Sequence, residues 1–299
     1  MLTTDIIIMV WEEALEEIRP DIEEKGFFHW DKSFQDFKAE YRVDAQQRAP
    51  SYLSLDFWRQ QRQELIQNNW YVIRTGRGSF GIFSEDQYPK PYLELSAEGA
   101  EEISVKPNAT YRHLRYAFKN LDLKLKAAEN TLLELARFYG VYEVLTEYLD
   151  CTSNYQIGPR GGMTQKFPLY FKRRDDTHTR FEYNGQVELD YTIWTESRVF
   201  VFEAKSVSRG GLDVGWHKLA YPAHRFYNQT INHELKVNPV YFLRTIYEDV
   251  NTVLIFLFRD IEFMDGGVIL NDRDAWEPLK VFRVDIDSLD RELREGSHL

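Results

Sequence analysis

The sequence predicts an α/β (α+β) protein, a mixed β-sheet flanked by helices, preceded by a helix-plus-hairpin module. Three observations lead there. Strand-length apolar runs recur in the second half, at Val199–Phe202, Pro239–Ile246 and Thr252–Phe258. Helical periodicity fills the stretches between and before them. The 299 residues are 43% hydrophobic and 15% aromatic, enough for packed cores and for two domains.

Residues 5–24 read as an acidic amphipathic helix that breaks near Pro20. Gly26 to Tyr41 is aromatic-rich and suits a short helix, and Ala45 to Ser54 a loop. Leu55 to Asn68 reads as a helix, ended by Asn68-Asn69. Trp70–Arg74 and Ser79–Phe83 flank the glycine turn Thr75-Gly-Arg-Gly78, a hairpin with Arg77 at its tip. Helix and hairpin together suit a winged-helix-like unit or a small α+β module. Pro89, Pro91 and Pro107 punctuate a mixed stretch, which sets the expected boundary: an N-terminal module over 1–105 and a second domain over 106–299.

Thr110 to Asp150 reads as mostly helical, with Leu132, Leu133, Ala136 and Tyr139 on one face and Gly140 placed to end or kink it. Gly158–Gly162 reads as a mobile loop, and Phe167–Lys172 as a strand beside the hairpin that follows. In that hairpin, Val187–Trp194 alternates apolar and polar residues, and Thr195–Arg198 is turn-sized. Val199–Lys205 follows, apolar until Glu203 and Lys205, whose equal parity puts both charges on one face. An antiparallel hairpin brings Asp190 close to them. Two carboxylates suit a hard divalent cation that keeps its waters and takes a substrate phosphate, and a lysine beside it orients a water. The alternative is an ion pair at a sheet edge.

Trp216 to Leu235 reads as one or two helices around Pro222, with His217, Tyr221 and Arg225 on one face and His217 as a satisfied surface histidine. Lys280–Asp285 suits a last strand and Ser288 to Glu295 a short helix.

Asp190 and Glu203-Ala204-Lys205 resemble the signature of the PD-(D/E)xK nucleases, the restriction-endonuclease-like fold, over about residues 125–260. The proline that usually precedes the Asp is Leu189 here. The resemblance implies a metal-dependent DNA endonuclease, of type II restriction or phage-defence kind. Repair or junction-processing nucleases, and a non-catalytic nucleic-acid-binding module that keeps the fold, are the alternatives. Asp190, Glu203 and the Ala204 carbonyl would hold Mg²⁺, with Mn²⁺ able to stand in, and Lys205 would place the attacking water. Glu129, ahead of Leu132-Leu133 and Gly140, resembles the family's helix carboxylate, with Glu134, Glu143 and Glu147 competing for that place.

The resemblance also implies double-stranded DNA as partner, a homodimer for double-strand cutting, and a cognate methyltransferase. The net charge of −11 counts against indiscriminate DNA binding, so a nucleic-acid partner needs a local basic surface. Arg77, Lys172, Arg173, Arg174, His217, Lys218, Tyr221 and Arg225 are the candidate contacts. Two basic runs, Arg112–Lys126 and Lys166–Arg180, supply the charge or are simply solvated faces. The single cysteine, Cys151, fits a reducing cytoplasm. The short run Ile6–Val10, followed by glutamates, is neither a signal peptide nor a spanning segment.

Overall fold

A computed structural model describes residues 3–41, 55–103, 129–149, 151, 154–206 and 213–286. The chain has a mixed α+β fold built on a seven-stranded sheet. Its strands are β5 (Glu101–Glu102), β6 (Gln156–Ile157), β9 (Tyr191–Trp194), β10 (Arg198–Ser206), β12 (Lys236–Tyr247), β13 (Val250–Phe258) and β15 (Pro278–Asp285). They run in the order β5-β15-β13-β12-β10-β9-β6. β10 and β12 are parallel, so a crossover joins them: β11 (Asp213–Gly215), then helices α6 (His217–His224) and α7 (Tyr227–His233).

The centre of this sheet is buried on both faces, which explains the unbroken apolar runs of β10, β12 and β13. One face packs on α4 (Glu129–Phe138) and α5 (Val141–Tyr148) through Leu133, Tyr142, Phe202, Phe242 and Ile255. Gly140, at φ 75°, makes the sharp turn between these helices, as its position in the sequence suggests. The opposite face, with Tyr241, Leu243 and Phe256, packs on α6 and on a second sheet. That sheet pairs β7 (Met163–Lys172) with β8 (His178–Val187) and β14 (Val268–Ile269).

The N-terminal part forms a three-stranded antiparallel sheet from β1 (Phe27–Trp30), β3 (Phe80–Ser84) and β2 (Trp70–Arg74). It is backed by α1 (Thr3–Lys25) and α2 (Phe34–Glu40) through Ile18, Ile22, Phe37 and Ile82. Ser33 caps α2, exchanging hydrogen bonds with Asp36. β4 (Tyr92–Glu94) leaves this part to pair with β11. Apolar packing is continuous across the expected boundary near 105: Phe83 stacks on Phe171 at 4.2 Å, in one cluster with Tyr71, Phe181 and Tyr241. No described helix is long and apolar enough to cross a membrane.

Several expectations are corrected. α1 runs through Pro20 without a break; the proline is exposed, and Ile18 and Ile22 anchor the helix on either side, offsetting the lost hydrogen bond. Gly26 to Tyr41 holds a strand as well as a helix, because Phe27–Trp30 finds a partner edge in β3. Leu55 to Asn68 is a 3₁₀ turn at Trp58–Gln60 and a short helix α3 (Gln63–Gln67), ended where Asn69 takes φ 56°. Val187–Trp194 is not one strand: Val187 ends β8, Glu188–Asp190 are irregular, and β9 starts at Tyr191. Phe167–Lys172 belongs to the second sheet rather than lying beside the hairpin, since all of β7 pairs with β8. Gly158–Gly162 is tied along β9, with Gly158 N–H on Thr192 O at 3.0 Å and Gly161 N–H on Leu189 O at 2.9 Å. The Arg112–Lys126 run, the loop over 45–54 and the helix over 288–295 lie outside the described residues.

Candidate active site

β9 and β10 form the antiparallel hairpin, with Tyr191 opposite Phe202 as the last pair. Asp190 is one residue beyond, where the chain leaves the sheet. Its Oδ2 accepts the Ala204 N–H at 3.3 Å, which fixes the carboxylate over the end of β10. The alternation of β10 buries Ala204 against α4 and turns Glu203 and Lys205 to the other side. Lys205 Nζ lies 3.1 Å from Glu203 Oε1 and 3.2 Å from Glu129 Oε2, at the first turn of α4. Asp190, Glu203, Ala204, Lys205 and Glu129 therefore converge. Among the helix glutamates only Glu129 does so: Glu134 pairs with Arg160 and Glu143 accepts from Tyr155.

Glu129, Asp190, Glu203 and Lys205 line a cleft of about 340 Å³ with Arg74, Tyr183, Gln186, Glu188, His217, Lys218 and Tyr221. Glu203 is 7% exposed. Burial pushes its carboxyl up to about 8, and the neighbouring charge of Asp190 adds to the effect while Lys205 and Lys218 oppose it. Asp190 and Glu203 line the same cleft. Lys205 is also raised: burial works against its charge, but Glu203, Asp56 and Glu129 together outweigh it. Burial governs at Glu203, because Lys205 retains Asp56 and Glu129 as counter-charges when Glu203 holds a proton.

His217 corrects the surface reading. It is 4% exposed, and neither ring nitrogen has a hydrogen-bond partner among the described residues. Burial first, then Lys218, lowers its pKa to about 3, so it stands neutral in the cleft wall. The cause is local: β11 ends at Gly215, and α6 starts with His217 directed inward beside Tyr221, ring centroids 5.8 Å apart. Tyr221 donates to the Arg74 carbonyl at 2.7 Å. Tyr241, beside Glu203 in sequence register, is fully buried with its hydroxyl unpartnered among the described residues; burial and then Glu203 and Asp56 hold it protonated.

The other proposed contacts lie elsewhere. Lys172, Arg173 and Arg174 line a separate depression with Asn271 and Asp272. There Lys172 pairs with Asp176 at 3.2 Å, Arg173 donates to Gln87 at 2.7 Å and Arg174 to the Glu85 carbonyl at 2.9 Å. Arg225 donates to Gly161 O at 3.3 Å, beside β9. Arg77 is exposed, but its backbone docks the turn on Asn184 O at 2.8 Å.

Two residues of the site carry no sequence signal. Arg74 ends β2, far upstream of the hairpin. Asp56 pairs with Lys218 at 2.6 Å; burial works against its charge, but Lys218 and then Lys205 hold its carboxyl below the usual range. Both come from the N-terminal part, and only the fold brings them here.

For a divalent cation the donors fit in chemistry: Asp190 and Glu203 are two carboxylates lining one cleft, and burial rather than a lack of nearby cations raises the proton affinity of Glu203. Among the described residues no three His, Cys, Asp or Glu side chains gather tightly enough to cage an ion. Mg²⁺ does not require such a cage, since it keeps several waters and binds through one or two carboxylates.

Residues 92–269 match the family model described as Domain of unknown function (DUF6997), and the chain belongs to that family. No curated protein matches. A solved structure titled "Crystal structure of SSO0001" aligns at 11% identity over 50% of this chain and 60% of that one, with a TM-score of 0.17, too low to bear on fold or function. The chain thus spans about 60% of that protein's length.

Proposed function

We propose that this member of the DUF6997 family is a metal-dependent DNA endonuclease, a phosphodiester hydrolase of the restriction or phage-defence kind. The observation that carries the reading is the convergence of Asp190, Glu203 and Lys205 at the end of a buried hairpin, with Glu129 behind the lysine. Asp190, Glu203 and the Ala204 carbonyl are the oxygen donors for Mg²⁺ or Mn²⁺. When bound, the cation supplies positive charge to a phosphate and acidifies a water.

The chain's own residues do the rest. Lys205, held between Glu203 and Glu129, presents an ammonium at a fixed point and orients the attacking water by hydrogen bonding. Water adds to phosphorus in line and gives up a proton to solvent, the P–O3′ bond breaks, the water oxygen stays on the 5′-phosphate, and the 3′-oxygen takes a proton from a water molecule to leave as a 3′-hydroxyl. Lys218 and Arg74 bring further positive charge to the cleft where negative charge spreads over the phosphate oxygens. The buried neutral His217 offers one ring N–H to water or phosphate and one acceptor nitrogen to water.

Plasmid and linear DNA incubated with Mg²⁺ test the reading. Discrete fragments, abolished by EDTA, support a sequence-specific endonuclease. A smear keeps the nuclease and removes the restriction assignment. DNA that is bound but left intact favours a non-catalytic module.

A further inference from the structure

β10, α6 and the end of β8 supply most of the cleft, but a segment from far upstream straps across β11, the short strand that leads into α6. Leu55 is buried, and the Asp56 carbonyl accepts the Gly215 N–H at 2.8 Å. Gln60 Oε1 accepts the N–H groups of Asp56 at 2.7 Å and Phe57 at 3.1 Å, which fixes the strap's own shape. The Arg59 N–H donates to Asp213 Oδ2 at 3.2 Å, at the start of β11. Gly215 makes the close approach possible: a Cβ there would come within 2.5 Å of His217 Cε1 and 3.3 Å of Leu55 O. The strap thus holds both ends of β11, from which α6 departs.

From this position the Asp56 side chain reaches inward to Lys218 Nζ at 2.6 Å, and Lys218 lines the cleft with Asp190, Glu203 and Lys205. Both side chains of the pair are 25% exposed, so the contact is set in the cleft wall and not on an open surface. A free lysine samples many rotamers. One clamped at 2.6 Å by a carboxylate on a hydrogen-bonded strap does not.

We propose that Asp56 is a positioning residue of the site: through its ion pair it holds the Lys218 ammonium in the cleft, ready for a phosphate oxygen of the nucleic-acid substrate. This rests on the phosphodiesterase reading above. It makes the N-terminal part a structural component of the active site and not an appended recognition module. A surface ion pair without function is the competing account, and such pairs contribute little.

The full-length protein and its Asp56→Asn, Asp56→Glu, Lys218→Met and Asp56→Asn/Lys218→Met variants are compared. The probe is a fluorescein-labelled duplex oligonucleotide, cut with Mg²⁺ and, separately, bound with Ca²⁺ and followed by anisotropy. The proposal expects Asp56→Asn to lose about 10- to 100-fold in kcat/KM, the scale of a misplaced catalytic contact. Asp56→Glu regains most of it. The double variant is no worse than Lys218→Met alone, because the two residues act as one unit. The same pattern appears in the affinity, and melting temperatures stay close to that of the wild type. An Asp56→Asn protein that cuts and binds like the wild type overturns the proposal, as do losses that multiply in the double variant. Both leave the nuclease reading intact. A wild type that neither cuts nor binds overturns both.

Discussion

The Ala204 N–H donates to Asp190 Oδ2 at 3.3 Å, so the backbone of one strand holds the side chain at the end of the other. This contact converts a β9–β10 hairpin into a site. It keeps Asp190 in the same cleft as Glu203, whose proton affinity rises with burial and with that second negative charge. Replacing Asp190 with Asn or Glu203 with Gln keeps the shape and removes the charge. Each variant is expected to lose about 10³-fold in cleavage rate, the scale of losing one electrostatic stabiliser. A loss below tenfold in quantitative cleavage assays would count against either residue as part of the chemistry.

Glu129 acts through Lys205 and is half-exposed, so Glu129→Gln is expected to cost less than Glu203→Gln, about tenfold in rate. Rate constants for the two variants under one condition decide this. Equal losses would place Glu129 directly on the reacting groups.

Stability without metal carries the signature of Glu203. Its folded-state pKa of about 8 lies above the ordinary 4.5, so the native state keeps a proton that the unfolded chain releases. The stability of metal-free protein should therefore fall as pH rises from about 4.5 to 8. Relative to a Glu203→Gln variant the slope disappears, and saturating Mg²⁺ flattens it. Thermal melts across that range that run parallel in wild type and variant would contradict the assignment.

His217 has the opposite sign. Its folded pKa of about 3 lies below the ordinary 6.5, because burial excludes the charged ring. Its contribution is complete above about 6.5 and is lost as pH falls toward 3. A His217→Gln protein should lose less stability than the wild type between pH 6.5 and 4. Identical acid melts would show a histidine open to solvent.

Much of the sheet was legible. Unbroken apolar runs announced β10, β12 and β13, and parity alone put Glu203 and Lys205 on one side. Hairpin distance puts Asp190 near the end of β10, but an alternating pattern does not reveal that Glu188–Asp190 leave the sheet between two different partners. The identity of β7's neighbour was equally hidden, because pairing depends on which edge is free. His217 was misread because a lone polar residue after a short strand looks solvated until Gly215 and Tyr221 close over it. Asp56 and Arg74 could not be found at all, since nothing local marks a residue whose partner lies more than a hundred positions away.

The shared core predicts joint unfolding. Phe83 and Phe171 stack at 4.2 Å across the expected domain boundary, and Phe83→Ala should cost about 3–5 kcal/mol. Urea unfolding followed by tryptophan fluorescence and by circular dichroism should give one transition, shifted as a whole in the variant. Two transitions, with only one shifted, would show two independent units.

In the proposed reaction Asp190 and Glu203 together bind a divalent cation used to cut DNA. The most direct measurement is Mn²⁺ binding by titration calorimetry, run beside DNA cleavage, for wild type, Asp190→Ala and Glu203→Gln. The account predicts binding by the wild type, its loss in both variants, and loss of cleavage in the same two proteins. Unchanged Mn²⁺ binding in both variants, or cleavage that persists without it, would contradict the account.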